Sequence, residues 1–391
     1  MISESELSIF NVFRGPHHFR HCFNHVWINL LHRFLGRTPS REIFSRMMPP
    51  LRLQPIIKQR PWGGRQLSRL WDQSAQGNSA RLRGNVDGWA ESWEVVDLGA
   101  DQSRIVGGKF AGKSLCELVR ENSRELLGEQ ASLKQFPLLF KFLDAAELLS
   151  VQVHPNDEQA ALLNVGPHGK SEAWVIISAK PGSKLSVGLK QGVDRRLFEQ
   201  HLASGTVAEC LNTFEARVGD VISVPAGTVH AIGGGIALAE IQQPSDVTFR
   251  LFDWNRLDAE GRGRALHINE ALQCIDFSRH SEISVSPRLL DPQLFAAKAS
   301  HVGGSTRHEE LIHNEHFLWR RHQLNRASFK LPECGRCRIL SLIAGSVELS
   351  SPMSREQLLP GNTLLLPANG GTVELTSAAD GLLLEALSVS N

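Results

Sequence analysis

The segment GDVISVPAGTVH limits the possible folds more than any other part of the chain. Gly219 and the aspartate after it are typical of a tight turn, and the run Val221–Val224 predicts a strand. Pro225 and Gly227 then favour a second turn that reverses the chain. This arrangement would direct His230 into the interior of a β-barrel. The alternative is a plain hairpin that carries a histidine by chance.

Two polar pairs upstream could share a site with this histidine. The pairs are Gln152 with His154 and Lys170 with Glu172, each separated by one residue. Because side chains alternate between the faces of a strand, each pair would face one side if both segments are strands. Two imidazoles, a carboxylate and an amide carbonyl suit Zn²⁺ or a neighbouring first-row ion. Gln152, His154, Glu172 and His230 are therefore a candidate metal site.

A partial copy of the barrel segment occurs near the C-terminus, in PGNTLLLPANGGTVEL. Gly361 and Pro367 keep the spacing of the first copy, but Asn369 replaces the second glycine and no histidine follows. Residues 337–349 indicate two more strands around a turn. The repetition predicts a second barrel that has lost its metal ligands and packs against the first.

The chain from Pro49 onward consists mainly of short apolar runs broken by Gly, Pro and Asp. Residues 113–128 have the apolar spacing of an amphipathic helix, and residues 191–214 predict a further helical insertion. Grouped helices among many short strands favour jelly rolls over a doubly wound sheet. We expect a mainly β protein with two jelly-roll barrels, a helical insertion and a metal-free second barrel.

Two predicted strands carry charges of interest. In GWAESWEVVDL, alternation places Glu91 and Trp93 on one face and Ser92 and Glu94 on the other. In FPLLFKFLDA, Lys141 interrupts a buried strand. A lysine in such a run usually extends its ammonium group to solvent. The alternative is a lysine that faces an anionic ligand.

The composition of the 391-residue chain excludes several classes of protein. With 41% apolar residues, 21% charged residues and a net charge of +1, it resembles an ordinary globular protein. These values argue against disorder and against nucleic-acid binding. No apolar run reaches the roughly 20 residues of a membrane-spanning helix. The six cysteines are scattered apart from the CxxC at Cys334 and Cys337, which indicates reduced thiols in a cytoplasmic protein.

Residues 1–46 differ from the rest of the chain. They contain five of the 16 histidines and no acidic residue between Ser8 and Arg41. We expect a poorly ordered extension, the alternatives being a basic amphipathic segment or sequence upstream of a start at Met47 or Met48. We expect the remainder to divide into a catalytic domain, 47–285, and a C-terminal domain, 286–391.

The barrel segment resembles the second conserved motif of the cupin superfamily, and a wider resemblance extends over roughly residues 50 to 390. Between Gln152 and Leu272 the motifs QVHP, KSEAW, PAGTVHAI, EIQQPSDVTFRLFDW and LHINEAL occur in that order. Together with WGG, ESWE and FPLLFKFLDA upstream, they resemble the type I phosphomannose isomerases, especially the shorter bacterial form. Residues 1–46 have no counterpart in this resemblance.

The resemblance implies a metal, usually zinc, bound by Gln152, His154, Glu172 and His230. It also implies an acid/base role for Lys170 and a conserved arginine at Arg250. The implied reaction interconverts mannose 6-phosphate and fructose 6-phosphate, so the partner would be a phosphorylated hexose. Residues expected near the substrate are Lys141, Glu94 and Glu240.

Such an isomerisation transfers a proton between C2 and C1 through a cis-enediol. It needs a base, a charge that stabilises the developing enediolate, and a site for the phosphate. Lys170 suits the first role if a nearby cation and partial burial lower its pKa. Arg250 suits the phosphate or the enediolate, or else forms a structural ion pair with Asp246 or Asp253. A cupin enzyme with another substrate, such as an oxygenase, and a non-catalytic sugar-phosphate sensor remain alternatives.

Overall fold

Short strands separated by glycine turns form most of the chain. The computed structural model describes residues 47–68, 88–258, 260–278, 285–296, 298–299 and 303–389. The expected extension 1–46 lies outside these residues. From Met48 onward the chain forms one compact unit. No helix in the described ranges is long and apolar enough to cross a membrane.

The strands, in chain order, are β1 (Leu51–Gln54), β2 (Ile56–Gly64), β3 (Trp89–Val95), β4 (Asp97–Leu98), β5 (Asp101–Gln102), β6 (Arg104–Val106), β7 (Leu139–Ala145), β8 (Val151–Val153), β9 (Glu172–Ala179), β10 (Lys184–Leu189), β11 (Leu211–Glu215), β12 (Val221–Val224), β13 (His230–Ile232), β14 (Ile236–Gln242), β15 (Phe249–Phe252), β16 (Arg288–Leu290), β17 (Lys298–Ala299), β18 (Ser305–His313), β19 (Phe317–Leu331), β20 (Arg338–Gly345), β21 (Val347–Ser350), β22 (Arg355–Leu358), β23 (Thr363–Leu366) and β24 (Val373–Ser388). The described part of the chain includes the helices α1 (Leu115–Leu127), α2 (Asp157–Leu162), α3 (Arg195–Ala203) and α4 (Ile268–Cys274). This content confirms the prediction of a mainly β protein.

Two antiparallel sheets from the first part of the chain pack face to face. One has the strand order β12-β9-β14-β7-β2-β3, and the other has the order β11-β10-β13-β8-β15. Trp174 and Ile176 of β9 share a buried cluster with Leu185 and Ile232 of the facing sheet. Residues with the opposite parity, such as Val175, pack on a second cluster behind the sheet. Strand β9 is therefore buried on both faces, which explains its nearly continuous apolar sequence.

The predicted helix over residues 113–128 is confirmed by α1. Ser114 and Glu117 form a reciprocal capping box at its start, which satisfies two backbone donors that a helix leaves unpaired. The helix ends at Gly128, whose φ of 62° suits glycine. Its apolar face joins the cluster behind β9.

The prediction of a helix over residues 191–214 is wrong in its second half. Helix α3 covers only Arg195–Ala203, and Gly205 then adopts a φ of 72° that ends it. A 3₁₀ turn, Val207–Cys210, leads into β11, which pairs with β10. The tertiary pairing with β10 outweighs the local helical preference of this segment.

A larger sheet contains most of the C-terminal strands. Its main path is β16-β18-β19-β24-β20-β23-β1-β6, with β17, β21 and β22 joined at its sides. Strand β1 pairs with β23, and β6 pairs with β1. Strands β1 and β6, which precede residue 285, thus belong to a sheet whose other strands follow that residue. The domain boundary between 285 and 286 stays a prediction.

The C-terminal sheet repeats the strand register of the six-stranded sheet. Glu172 is paired with Val224 and Gln242, and Arg338 is paired in the same way with Leu366 and Leu387. Val224 and Leu366 each precede the proline of the repeated sequence segment. By the same register, Glu240 corresponds to Glu385. Their strand partners also correspond, because Glu240 is paired with Lys141 and Glu385 is paired with Arg320.

Candidate active site

Three neighbouring strands of the five-stranded sheet bring Gln152, His230 and Arg250 together. Gln152 on β8 is paired with His230 on β13 and with Arg250 on β15. Directly paired residues on antiparallel strands project from the same face, so all three side chains point toward the facing sheet. His154 follows β8, where its carbonyl accepts a hydrogen bond from Gly227 at 2.9 Å. Gly227 in the barrel segment has a φ of 86°, a left-handed conformation that glycine adopts more readily than any other residue.

The facing sheet contributes Glu172 at the start of β9, with its side chain on the interior face. Lys170 lies two residues earlier and outside the strand, where its backbone N–H donates to the Pro155 carbonyl at 2.9 Å. Lys170 and Glu172 therefore point to the same side, as predicted. The strand itself begins at Glu172, so the prediction that Lys170 belongs to it is wrong. The Lys170 ammonium group contacts the Glu172 carboxylate.

The candidate metal ligands converge on one point. Ligand atoms of His154, Glu172 and His230 all lie within 4.8 Å of one another, and all three side chains are buried. His154 Nε2 is 3.6 Å from Glu172 Oε2, and His230 Nε2 is 3.4 Å from Glu172 Oε1. The Gln152 side-chain amide lies 3.1 Å from His230 Nε2. The structure thus brings the four predicted ligands together.

Backbone carbonyls orient both imidazole rings. Nδ1 of His154 is 2.8 Å from the Val247 carbonyl, and Nδ1 of His230 is 3.0 Å from the Thr228 carbonyl. A ring that donates through Nδ1 presents the lone pair of Nε2 to the centre, and this arrangement is typical of histidines that bind metals. Two imidazole nitrogens and one carboxylate, with the side-chain amide of Gln152 beside them, form a donor set that fits Zn²⁺ or a similar ion.

Burial and charge favour the ligand forms of these groups. Burial, assisted by the Lys170 charge, lowers the pKa of His154 well below its ordinary value, and burial likewise lowers the pKa of His230. Burial alone would raise the pKa of Glu172, but Lys170 and the two histidines lower it below its usual range. Neutral imidazoles and an ionised carboxylate are the forms that bind a metal.

The protein groups around Lys170 act on its pKa in opposite directions. Burial does oppose the charged ammonium form, but Glu172 and Glu240 together raise the pKa of Lys170 above its ordinary value. Its Nζ is 3.2 Å from His154 Nε2 and 3.5 Å from Glu240 Oε1. In this arrangement Lys170 carries a proton and lies between a ligand set and a second carboxylate.

Lys141 faces the interior and does not extend to solvent. Its Nζ is 3.1 Å from Glu91 Oε2 and 3.3 Å from Glu240 Oε1. Burial opposes its charge, but Glu240 and Glu91 raise the pKa of Lys141. Burial and the Glu172 charge raise the pKa of Glu240 to about 7. The structure thus places Lys141 and Glu240 beside Lys170, as expected for residues near a substrate.

Glu94 is the predicted site residue that the structure places elsewhere. The Ser92 hydroxyl donates to its carboxylate at 2.6 Å, on the face of β3 opposite Glu91. The alternation expected for this strand is confirmed, because Trp93 Nε1 donates to Glu91 at 2.7 Å. The face of β3 that reaches the site is that of Glu91, whereas Glu94 was the acidic residue predicted to lie near the substrate.

A cavity of about 290 Å³ opens over these groups. Its lining includes Lys141, Gln152, Lys170, Glu172, Glu240 and Arg250. It also includes residues that were not predicted to belong to the site: Arg60, Glu91, Ser150, Asp246, Thr248 and Arg264. The period-two alternation of β3 could have identified Glu91. No comparable sequence signal marks the other two arginines, because Arg264 lies outside the strands and Arg60 lies where the register of β2 against β3 shifts. The predicted pairing of Arg250 with Asp246 or Asp253 is not observed among the described residues.

Comparison with known proteins agrees with this geometry. Residues 51–179 match the family model described as phosphomannose isomerase type I, catalytic domain. The chain is 31% identical over 321 residues to a mannose-6-phosphate isomerase from Streptococcus mutans, which covers 82% of this chain and 93% of the relative. It is 39% identical over 227 residues to the mannose-6-phosphate isomerase ManA from Bacillus subtilis, covering 58% of this chain and 68% of the relative.

The fold is also similar to that of a solved structure. The crystal structure of the mannose 6-phosphate isomerase from Bacillus subtilis aligns with a TM-score of 0.75 and 26% identity, over 87% of this chain and 99% of that one. The sequence match to the Streptococcus mutans relative extends over most of both chains. The chain therefore belongs to the type I phosphomannose isomerase family and is an enzyme of that kind.

Proposed function

We propose that this enzyme interconverts mannose 6-phosphate and fructose 6-phosphate through a cis-enediol. The observation that carries the proposal is the meeting of a Gln/His/Glu/His ligand set with Lys170 and Glu240 in one cavity. The names of the relatives supply mannose 6-phosphate as the substrate. A phosphorylated hexose is therefore the proposed partner, and the cytoplasm stays the predicted location.

Lys170 and Glu240 are the groups best placed for proton transfer. Their side chains are 3.5 Å apart, so a proton can pass between them or between either group and a bound sugar. In the forward direction one group removes the C2 proton of the open-chain aldose, and C1 then receives a proton to give the ketose. We propose Lys170 as the acid/base residue and Glu240 as the next group to test.

Gln152, His154, Glu172 and His230 would hold one divalent metal, which we propose to be Zn²⁺. When bound, it would supply a Lewis acid for the sugar oxygens. Val247 and Thr228 fix the imidazoles through their carbonyls, so the ligands are oriented by contacts within the protein. Lys141 pairs with both Glu91 and Glu240 on the sheet that also carries Glu172, and these contacts position Glu240.

A coupled assay tests this function. The protein should convert mannose 6-phosphate to fructose 6-phosphate, lose activity after treatment with a chelator, and recover when Zn²⁺ is returned. Purified protein should contain one equivalent of metal per chain by elemental analysis. Full activity in protein that retains no metal would contradict the proposed metal dependence.

The rival functions have distinct outcomes. An oxygenase would consume O₂ in the presence of Fe²⁺, and a sensor would bind the sugar phosphate without turnover. The pairing of Lys170 with Glu240 favours isomerisation over both, because neither oxygen activation nor simple binding requires a buried acid/base pair beside the ligands.

We further propose that the C-terminal sheet is a second cupin-like barrel that binds no metal. The register shared by Glu172 and Arg338 supports a repeat of the first barrel. A guanidinium at the position of the metal-binding carboxylate cannot act as a ligand. Arg338 lies 3.0 Å from Glu385 Oε1, so an ion pair fills this part of the sheet.

A further inference from the structure

Lys170 projects from an irregular segment, and yet its ammonium group has a defined place in the cavity. Residues 166–171, all within the described ranges, form neither helix nor strand. The ammonium group contacts Glu172 and lies 3.5 Å from Glu240 Oε1. A lysine side chain is a flexible stem, and it samples many directions unless the backbone that carries it is fixed. The contacts of the neighbouring backbone therefore decide where this charge can lie.

Gln243, the residue after β14, holds the residue that follows Lys170. The Ser171 backbone N–H donates to Gln243 Oε1 at 2.9 Å, and the Gln243 backbone N–H donates to the Ser171 carbonyl at 3.2 Å. Gln243 is only 4% exposed. Buried bonds to both the N–H and the carbonyl of one residue fix the peptide groups on either side of it.

Asp157, in the first turn of α2, holds the residue that precedes Lys170. Its Oδ1 accepts from the Gly169 backbone N–H at 2.6 Å and from Gln243 Nε2 at 2.9 Å. The second of these bonds orients the Gln243 amide, so that its oxygen faces Ser171. One carboxylate thus holds Gly169 directly and Ser171 through the glutamine.

The segment also packs closely against the turn before α2. A Cβ atom added to Gly169 would come within 2.4 Å of the Asn156 backbone, so only glycine fits here. The Lys170 backbone N–H donates to the Pro155 carbonyl at 2.9 Å. The backbone N–H groups of residues 169, 170 and 171 therefore each have an acceptor outside the segment.

Gln243 and Asp157 line a different cavity from the one that Lys170 lines. Theirs has a volume of about 480 Å³ and also includes His168. Among the described residues that line the catalytic cavity, Lys170 is present and neither Gln243 nor Asp157 is. A sugar bound beside Lys170 would not contact them. Any effect that they have on catalysis must therefore act through the residues that they hold.

We propose that Gln243, oriented by Asp157, is a positioning residue that directs Lys170 toward Glu240 and the sugar. This inference rests on the proposed isomerase function, in which Lys170 transfers a proton. Proton transfer requires hydrogen-bond distance between donor and acceptor, and a displacement of about 1 Å can lower the rate by about two orders of magnitude. Loss of the Gln243 contacts should reduce kcat and leave substrate affinity largely intact.

Kinetics of Gln243→Met test the proposal, because methionine has a similar length and no amide. We expect kcat for mannose 6-phosphate to fall about 10- to 100-fold, while KM changes by less than about twofold and metal content is unchanged. The same substitution added to Lys170→Ala should lower kcat no further, because the residue that it positions is already removed. An equal loss in both backgrounds, or a loss of bound metal, would overturn the assignment.

Exchange of the amide and the carboxylate provides a rescue. Gln243→Glu brings two carboxylates together, so kcat should fall. Adding Asp157→Asn should restore much of the activity, because the asparagine amide then donates to the new carboxylate. Glu158→Gln is the matched control, since Glu158 is the exposed neighbour of Asp157 in the same helical turn, and its kcat should not change. Activity in the double variant no higher than in Gln243→Glu would contradict the proposed contact.

Hydrogen exchange separates this proposal from the proposed function. The amides of residues 169–171 should exchange faster in Gln243→Met than in the unmodified protein, and Glu158→Gln should leave their exchange unchanged. If the unmodified protein shows no isomerase activity, the proposed function fails, and the exchange rates still decide whether Gln243 holds the segment. Equal rates in Gln243→Met and the unmodified protein would refute the positioning role.

Discussion

Arg338 in the C-terminal sheet holds the register position that Glu172 holds beside the candidate metal ligands. The exchange replaces a buried anion with a buried cation. Glu385, which corresponds to Glu240, lies 3.0 Å from the Arg338 guanidinium and balances its charge. The two sheets thus share a backbone arrangement, but the cation beside the buried carboxylate differs. Lys170 contacts Glu172 in one sheet, and Arg338 contacts Glu385 in the other.

The Arg338–Glu385 pair should contribute strongly to stability only while both partners are present. Arg338→Met leaves a buried carboxylate with fewer partners, so we expect the free energy of unfolding to fall by about 3–5 kcal/mol. Adding Glu385→Leu to Arg338→Met should recover much of this loss, because the fully buried carboxylate is then removed together with its guanidinium partner. Urea denaturation of the two single variants and the double variant measures the coupling. Additive losses would contradict a paired role.

Acidification should destabilise the C-terminal sheet. Burial opposes ionisation of Glu385, but His322 and Arg338 lower its pKa from the usual 4.5 to about 2. The stabilisation is therefore complete above about pH 4.5 and is lost as the pH falls toward 2. Burial and His322 also lower the pKa of His308 from 6.5 to about 3, so stability should begin to decline below pH 6.5.

Glu385→Gln should weaken the pH dependence of stability only between pH 4.5 and about pH 2. The variant should lose less stability than the unmodified protein between pH 4.5 and pH 2, while the decline that begins below pH 6.5 remains. Melting temperatures across this range provide the measurement. Identical slopes below pH 4.5 would show that Glu385 does not hold a lowered pKa.

Glu172 and Lys170 should respond differently to mutation despite their contact. Glu172→Gln removes an anionic ligand, so both bound metal and activity should fall, and excess Zn²⁺ should restore part of the turnover. Lys170→Ala keeps all four ligands, so metal content should stay near one equivalent while kcat falls about 10²–10⁴-fold. Metal analysis and steady-state kinetics on the same samples separate the two roles. Near-normal kcat in Lys170→Ala would transfer the acid/base role to Glu240.

Removal of residues 1–46 should leave catalysis and stability unchanged. Residues from Met48 onward form a compact unit of their own, and every residue of the candidate site lies within it. A chain that begins at Met47 should keep the melting temperature and the kcat of the full chain. A large loss of either would place the start of the folded unit earlier.

The candidate metal ligands could be predicted because their positions depend on local patterns. Gln152 and Glu172 follow strand alternation, and His230 follows from turns that Pro225 and Gly227 impose. The direction of Lys141 could not be decided from its strand, because an apolar run buried on both faces does not indicate which side is polar. Its partners Glu91 and Glu240 come from other strands, and only tertiary pairing brings them within reach.

The position of Arg264 at the cavity could not be predicted from local sequence patterns. It requires a hairpin, two left-handed residues and hydrogen bonds to a distant segment. The length of α3 was overestimated for a related reason, since β10 draws residues 211–215 into a sheet. The pairing of β1 with β23 could not be predicted either, because the two strands lie far apart in the chain.

The pairing of β1 with β23 has a consequence for the order in which the protein can fold during synthesis. Arg52 donates to Glu356, 304 positions further along the chain, and Leu51 is paired with Leu365. On the ribosome, β1 is among the first strands of the compact unit to emerge. The edge that pairs with β23 stays open until that strand, one of the last, has been synthesised. The catalytic sheets can associate earlier, but the sheet that joins the two ends of the unit closes only when the polypeptide is nearly complete. A strand edge left open for so long is a natural target for chaperones.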